Sequence, residues 1–183
     1  MADLIIGLCG SKGCGKSTIA SYLSAHHDAT IVKFADPIKE MMRILGLSDD
    51  EINGPLKEEP CEILGDQTPR FAQQSLGTEW GRNTISKSLW VDAWIKKTKE
   101  TPGVVVCDDV RFPNELRAID DLNGVTVWVN RDSVYGGDDV HASENSIDYS
   151  YCDFTSDNDR AVHLVAQEVL SDCWEIKTLR GIG

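Results

Sequence analysis

Near the start of the chain, Gly10-Ser11-Lys12-Gly13-Cys14-Gly15-Lys16-Ser17-Thr18 packs glycines, lysines and hydroxyls into one short stretch. Gly10 followed after four residues by Gly15-Lys16-Ser17 is the G-x-x-x-x-G-K-[ST] pattern. In it backbone N–H groups wrap phosphates, the lysine reaches the β/γ oxygens and the hydroxyl meets Mg²⁺. The expected ligand is a nucleoside triphosphate. A second stretch, Val104-Val105-Val106-Cys107-Asp108-Asp109-Val110-Arg111, ends an apolar run in two acids. A carboxylate leaving the C-terminal end of a parallel strand sits where α/β sheets bind ligands, and a P-loop enzyme needs one there for Mg²⁺ or its waters. Asp108 and Asp109 both qualify. Arg111 follows in the same loop, and its planar fork suits bidentate binding of phosphate oxygens.

These residues need elements to hold them. Leu4 to Cys9 is a short apolar run of the kind a buried parallel strand shows, and Ile19, Tyr22, Leu23 and His26 recur at helical spacing behind the glycines. Strand, glycine loop and helix follow in order, and a helix starting near Gly15 aims its unpaired N–H groups and positive dipole end at the phosphates. The next segment predicts a strand over 31–34, Asp36 as N-cap, Pro37 as first helical residue, and a helix with Ile38, Met41, Met42 and Leu45 on one face, stopped by Gly46. Residues 48–68 are mostly polar and broken by Gly54-Pro55, Pro60 and Gly65, which predicts a mobile excursion. A short helix is expected from Thr68-Pro69 to Gly77 and a second from about Thr84 to Lys99, carrying Trp90 and Trp94 on a packed face. Beyond these lie a strand at 104–107, a helix opened by Pro113 and closed by Asn123-Gly124, a strand at 125–129, a polar loop at 131–150, a strand at 153–155, and an amphipathic helix on Val162, Val165, Ala166, Val169 and Leu170. This alternation predicts an α/β fold, a doubly wound parallel sheet covered on both faces.

A length of 183 residues fits one domain, and 41% hydrophobic with 26% charged residues is ordinary for a globular chain. The net charge of −12 repels a polyanion, so nucleic acid is not an expected partner. A small phosphorylated ligand remains compatible, because cations gathered in one cleft outweigh a distant negative surface screened over about 8–10 Å. No apolar run reaches the ~20 residues of a membrane span and no signal peptide opens the chain, so a cytoplasmic location is expected. The six cysteines form no C-x-x-C pair, which leaves a zinc or thioredoxin-like site without support. Cys14, inside the glycine loop at a helix start, is expected to be open to oxidation.

The segments "GSKGCGKS", "FADPIKEMM", "RFAQQSLGTEWGR", "LWVDAW", "DVRFPNE" and "HASE", in this order, resemble the bacteriophage-type deoxynucleoside monophosphate kinases over about residues 4–145. The resemblance implies a P-loop NTPase fold that moves the ATP γ-phosphoryl group to a 2′-deoxynucleoside 5′-monophosphate, with Mg²⁺. It implies a core at 1–47 and 101–183, a helical acceptor-binding region at about 48–100 and a lid at about 131–150. Residues 10–18 would hold ATP, Ser17 and Asp109 the metal. Lys16, Arg70, Arg111, Arg131 and Asp109 would be catalytic. Phe34, Asp36, Lys39, Arg70, Gln74, Trp80, Arg82 and Arg111 would serve the acceptor, with Phe34 and Trp80 as candidates for packing against C2′ of the sugar. His141 and Glu144 fall in the H-x-[ST]-E segment, whose role the residues do not explain. The host cytoplasm is the expected location if a phage encodes the chain, and a homodimer is left open. Two other readings share the loop. One is another small-metabolite kinase, such as one acting on dephospho-coenzyme A; the other is a regulatory nucleotide switch, against which stands the lack of an N-K-x-D segment.

Overall fold

From Leu4 onward, β1 (Ala2–Cys9) is buried along its whole length, as a strand covered on both faces must be. The structure, a computed structural model, describes residues 2–132 and 147–181. β1 pairs in parallel with β3 (Gly103–Cys107) on one side and β4 (Val125–Asn130) on the other. β2 (Thr30–Ile31) extends the sheet beyond β3, and β5 (Phe154–Asp157) extends it beyond β4. The result is a five-stranded parallel sheet in the order β2-β3-β1-β4-β5. With β3 and β4 flanking β1, crossovers run both ways from the centre, and the loops leaving β1, β3 and β4 share the edge at which open α/β sheets bind ligands.

Two compact units make up the chain, Met1–Lys33 with Trp94–Gly183 and, between them in sequence, Phe34–Ala93. In the first, α1 (Lys16–His26) and α7 (Val162–Gly181) cover one face of the sheet, with Ile19, Leu23, Val165 and Val169 packed on Leu4, Ile6, Leu8 and Val127. Each fully buried aliphatic side chain of this layer contributes about 1.5–3 kcal/mol. The other face carries α6 (Pro113–Asp121), which comes so close that a Cβ on Gly7 would stand 2.5 Å from Ile119 Cδ1. Among the described residues, no helix is long and apolar enough to cross a membrane.

The second unit holds α2 (Asp36–Ile44), α3 (Asp49–Ile52), 3₁₀ turns at Pro55–Glu58 and Glu62–Leu64, and α4 (Pro69–Ser75). A π-helix, Leu76–Ile85, continues α4, and α5 (Leu89–Glu100) begins in this unit and ends in the first. Its small core is Met42, Leu47, Ile52 and Cys61, flanked by Leu64, Ala72 and Leu76.

Several boundaries differ from expectation. β2 ends at Ile31 rather than Phe34: Thr30 and Ile31 pair with β3, the Val32 N–H makes a last bond to Val106 O at 3.0 Å, and the chain then turns at Phe34-Ala35. Ala35, not Asp36, is the N-cap of α2. The 48–68 excursion is partly ordered: Ser48 and Glu51 cap α3 reciprocally, with the Ser48 N–H donating to Glu51 Oε2 at 2.7 Å. The helix expected to stop at Gly77 runs on through the π-helix, and α5 starts at Leu89 instead of near Thr84. Trp90 Nε1 donates to Gly77 O at 2.8 Å, and Gly81 is packed under the same ring. A side chain there would collide with Trp90, so this contact requires glycine. The central part of the expected lid, including His141 and Glu144, lies outside the described residues.

Candidate active site

The chain leaves β1 through three glycines at positive φ: Gly10 (130°), Gly13 (85°) and Gly15 (101°). L side chains rarely adopt this backbone, so the spacing of glycines sets the curvature of the loop. α1 then starts at Lys16 with no side-chain cap on its N-terminus and no acidic residue in its first turn. Its leading amides and positive dipole end therefore suit an anion. Lys16 Nζ is folded onto the loop, 2.6 Å from Gly10 O, 2.9 Å from Ser11 O and 3.6 Å from Cys14 Sγ. Ser11, Lys12, Gly13, Ser17 and Thr18 are exposed. Cys14, by contrast, is buried, so the expectation of a thiol open to oxidation does not hold. Its side chain faces the core cluster that includes Leu8 and Val129.

At the exit of β3 the two acids part company. Strand alternation puts Asp108 on the Val106 side, the face covered by α1 and α7, and Asp109 on the Cys107 side. Asp108 is buried, with Lys33 Nζ 2.8 Å from Oδ1 and 2.9 Å from Oδ2. Asp109 Oδ1 accepts a hydrogen bond from Cys107 Sγ at 3.2 Å. Burial, and next the Asp109 charge, push the Cys107 thiol well above its ordinary range, which keeps it protonated as a donor. The following loop is pinned by buried Glu115, whose Oε2 accepts from the backbone N–H groups of Arg111 at 2.8 Å and Phe112 at 3.1 Å. The side chain of Arg111 is exposed.

Arg131 is exposed just past β4. Its neighbours are tied to the exit of β5: Asn130 Nδ2 donates to Asp157 Oδ1 at 3.1 Å and the Asp132 N–H to Asp159 Oδ2 at 3.3 Å. The glycine loop, both acids, Arg111 and Arg131 thus all belong to loops at the C-terminal ends of β1, β3 and β4.

The remaining predicted residues lie in the second unit. Arg70, in the first turn of α4, donates from Nε to Glu58 Oε1 at 2.8 Å. Asp36 and Lys39 are half-buried in α2, Gln74 is exposed on α4, and Arg82 is half-buried in the π-helix. Phe34 is buried, while Trp80 is 40% exposed with its ring 6.2 Å from that of Trp90.

No group of three or more His, Cys, Asp or Glu side chains gathers to hold a metal among the described residues. The oxygens available at the loop edge, the Ser17 hydroxyl and a β3 carboxylate, are hard donors of the kind Mg²⁺ takes when phosphates and water complete its shell. Three residues escaped sequence reasoning. Glu115 had a signal, a carboxylate at the third position of a helix opened by proline. Lys33 is 75 positions from Asp108, and Asn158, whose Nδ2 donates to Cys14 O at 2.8 Å, is 144 positions from its partner. Neither pairing has a local pattern.

Comparison with known proteins adds three findings. The sequence profile of the family described as deoxynucleotide monophosphate kinase matches residues 66–169. A protein of Acanthamoeba polyphaga mimivirus, provisionally named deoxynucleotide monophosphate kinase, is 35% identical over 156 residues, covering 77% of this chain and 80% of its own. In fold, the chain is similar to shikimate kinases. That of Aquifex aeolicus has a TM-score of 0.50 at 16% identity, over 92% of this chain and 95% of the other. That of Bacteroides thetaiotaomicron has a TM-score of 0.52 at 13% identity, over 94% and 98%.

Proposed function

The chain belongs to the deoxynucleotide monophosphate kinase family and is a phosphotransferase, and on that premise we propose that it moves the γ-phosphoryl group of ATP to the phosphate of a 2′-deoxynucleoside 5′-monophosphate. The observation that carries this reading is the loop from Gly10 to Ser17, with glycines at positive φ and Lys16 leading straight into an uncapped helix. An acceptor phosphate oxygen forms a bond to the γ-phosphorus as the bond to the β,γ-bridging oxygen breaks, giving the diphosphate and ADP. Both reactants are anionic, so the work is neutralisation and in-line positioning, and no protein nucleophile is required.

In this reading residues 10–18 hold ATP, with Lys16 and the leading amides of α1 on its phosphates. Arg111 and Arg131 contribute positive charge to the transferred group, and Arg70 binds the acceptor phosphate. Ser17 with Asp109 or Asp108 would hold Mg²⁺, which when bound supplies further charge neutralisation. Acceptor recognition is assigned to the helical region at about 48–100. The reaction takes place in the cytoplasm, that of a host if the chain is virus-encoded. Deoxyribose is favoured over ribose where a wall packed on C2′ leaves an added hydroxyl clashing or unpaired, at about 1–3 kcal/mol.

The test is ADP production with purified protein, ATP and Mg²⁺ against dTMP, dGMP, dCMP, dAMP, their ribose counterparts, 5-hydroxymethylated pyrimidine forms and dephospho-coenzyme A. Lys16→Met serves as the control, with a rate lower by roughly a hundredfold or more because a transition-state cation is lost. Phosphorylation of dephospho-coenzyme A without that of any deoxynucleotide would overturn the reading. Ribonucleotides equal to deoxynucleotides would remove only the sugar preference.

A further inference from the structure

Asn158 stands immediately after β5 and is buried. Its backbone N–H continues the ladder between β4 and β5, donating to Asn130 O at 2.8 Å. That bond fixes where the side chain begins. The side chain then reaches the glycine loop, and Nδ2 donates to Cys14 O at 2.8 Å. Gly15 makes room for it: a Cβ at that position would stand 2.0 Å from Asn158 Nδ2. Glycine is therefore required at position 15 twice over, once for its φ of 101° and once to admit the amide of Asn158.

The bond has a directional consequence. A peptide unit is planar and trans, so its C=O and N–H point in opposite directions. With the Cys14 carbonyl drawn toward Asn158, the N–H of Gly15 is turned the other way. Lys16 begins the next residue and the first turn of α1. We propose that Asn158 is a positioning residue for ATP, acting through the Cys14–Gly15 peptide to hold the loop amides and Lys16 in their phosphate-binding orientation. The same residue anchors Asn130, so the loop and the segment bearing Arg131 share one support.

This inference rests on the reading that the loop binds ATP, and the test separates the two. Dissociation constants for ATP and for the deoxynucleotide acceptor are measured by calorimetry on wild type, Asn158→Ala and Asn158→Asp, with folding checked by circular dichroism. Asn158→Asp keeps the shape but sets a carboxylate oxygen against the Cys14 carbonyl. The expected result is ATP affinity weaker by about tenfold in Asn158→Ala, as for a lost buried hydrogen bond, and weaker still in Asn158→Asp. Acceptor affinity stays within twofold.

Folded variants that bind ATP within twofold of wild type would overturn the proposal. So would equal loss for both ligands, which signals general disorder. If Asn158→Ala does not fold, Asn158→Ser, whose hydroxyl stops one bond short of the Nδ2 position and so loses the bond to Cys14 O while staying polar, carries the comparison with the same expected loss of ATP affinity, and failure of all three variants to fold would leave only an architectural role and overturn the proposal. A wild-type protein that does not bind ATP would instead refute the reading of the loop.

Discussion

Replacing Lys33 by methionine tests whether the β2–β3 exit is held together by charge. The Asp108 side chain is 1% exposed and that of Lys33 is 26% exposed, with Nζ 2.8 Å from Oδ1. Removing one partner of a buried ion pair costs about 3–5 kcal/mol, because the remaining charge is desolvated without compensation. Here a quarter of the lysine reaches solvent, and water screens part of the interaction, so the expected loss is about 2–3 kcal/mol. Asp108→Asn in the same chain removes the stranded charge. The double variant Lys33→Met/Asp108→Asn should recover at least half of that loss. The assay is urea unfolding followed by circular dichroism, read as a shift in midpoint at constant slope. The reasoning fails if Lys33→Met lies within about 0.5 kcal/mol of wild type, or if the double variant is no more stable than the single one.

Arg70→Ala should leave stability unchanged to within about 1 kcal/mol, since its pairing with Glu58 is a surface one, while weakening acceptor binding at least tenfold and sparing ATP; separate titrations of the two ligands decide it, and a loss confined to ATP would refute the assignment. Gly81→Ala drives a Cβ to 2.4–2.6 Å from three atoms of the Trp90 ring. It should destabilise the protein by about 1–3 kcal/mol as overpacking does, and an unchanged urea midpoint would show that the ring moves aside freely.

The sheet and its glycine loop were legible because their signals are local. Leu4–Cys9 of β1 is an uninterrupted apolar run, Gly10 to Ser17 follows fixed spacing, and Pro113 and Asn123-Gly124 bracket α6 in sequence as in space. The different partners of Asp108 and Asp109, Lys33 for one and Cys107 Sγ for the other, were not legible, since two adjacent acids share every local property except the face they occupy. Nor was Lys33, whose meaning depends on β2 lying next to β3, a fact of strand order. Asn158 is another case of the same kind: an asparagine after a strand reads as an ordinary turn residue until β5 is set beside β4. The π-helix failed for a different reason. Gly77 reads as a stop at α-helical spacing, whereas the wider π turn is accompanied by Trp90 Nε1 bonding to Gly77 O.

Trp94 Nε1 donates to Val32 O at 2.9 Å, and these residues bracket the segment Phe34–Ala93 where it leaves the first unit and returns to it. The two junctions are thus fastened to each other within the first unit, whatever the intervening sixty residues contain. A segment with adjoining ends can be lengthened, shortened or exchanged with little added closure entropy, about 0.6 kcal/mol for a doubling in length. Sequence change within Phe34–Ala93 is therefore decoupled from the five-stranded sheet, which keeps its own closure. The same junctions are the natural splice points for a chimera, and if the proposed roles of the two parts hold, such a chimera keeps this chain's ATP site and takes another enzyme's acceptor.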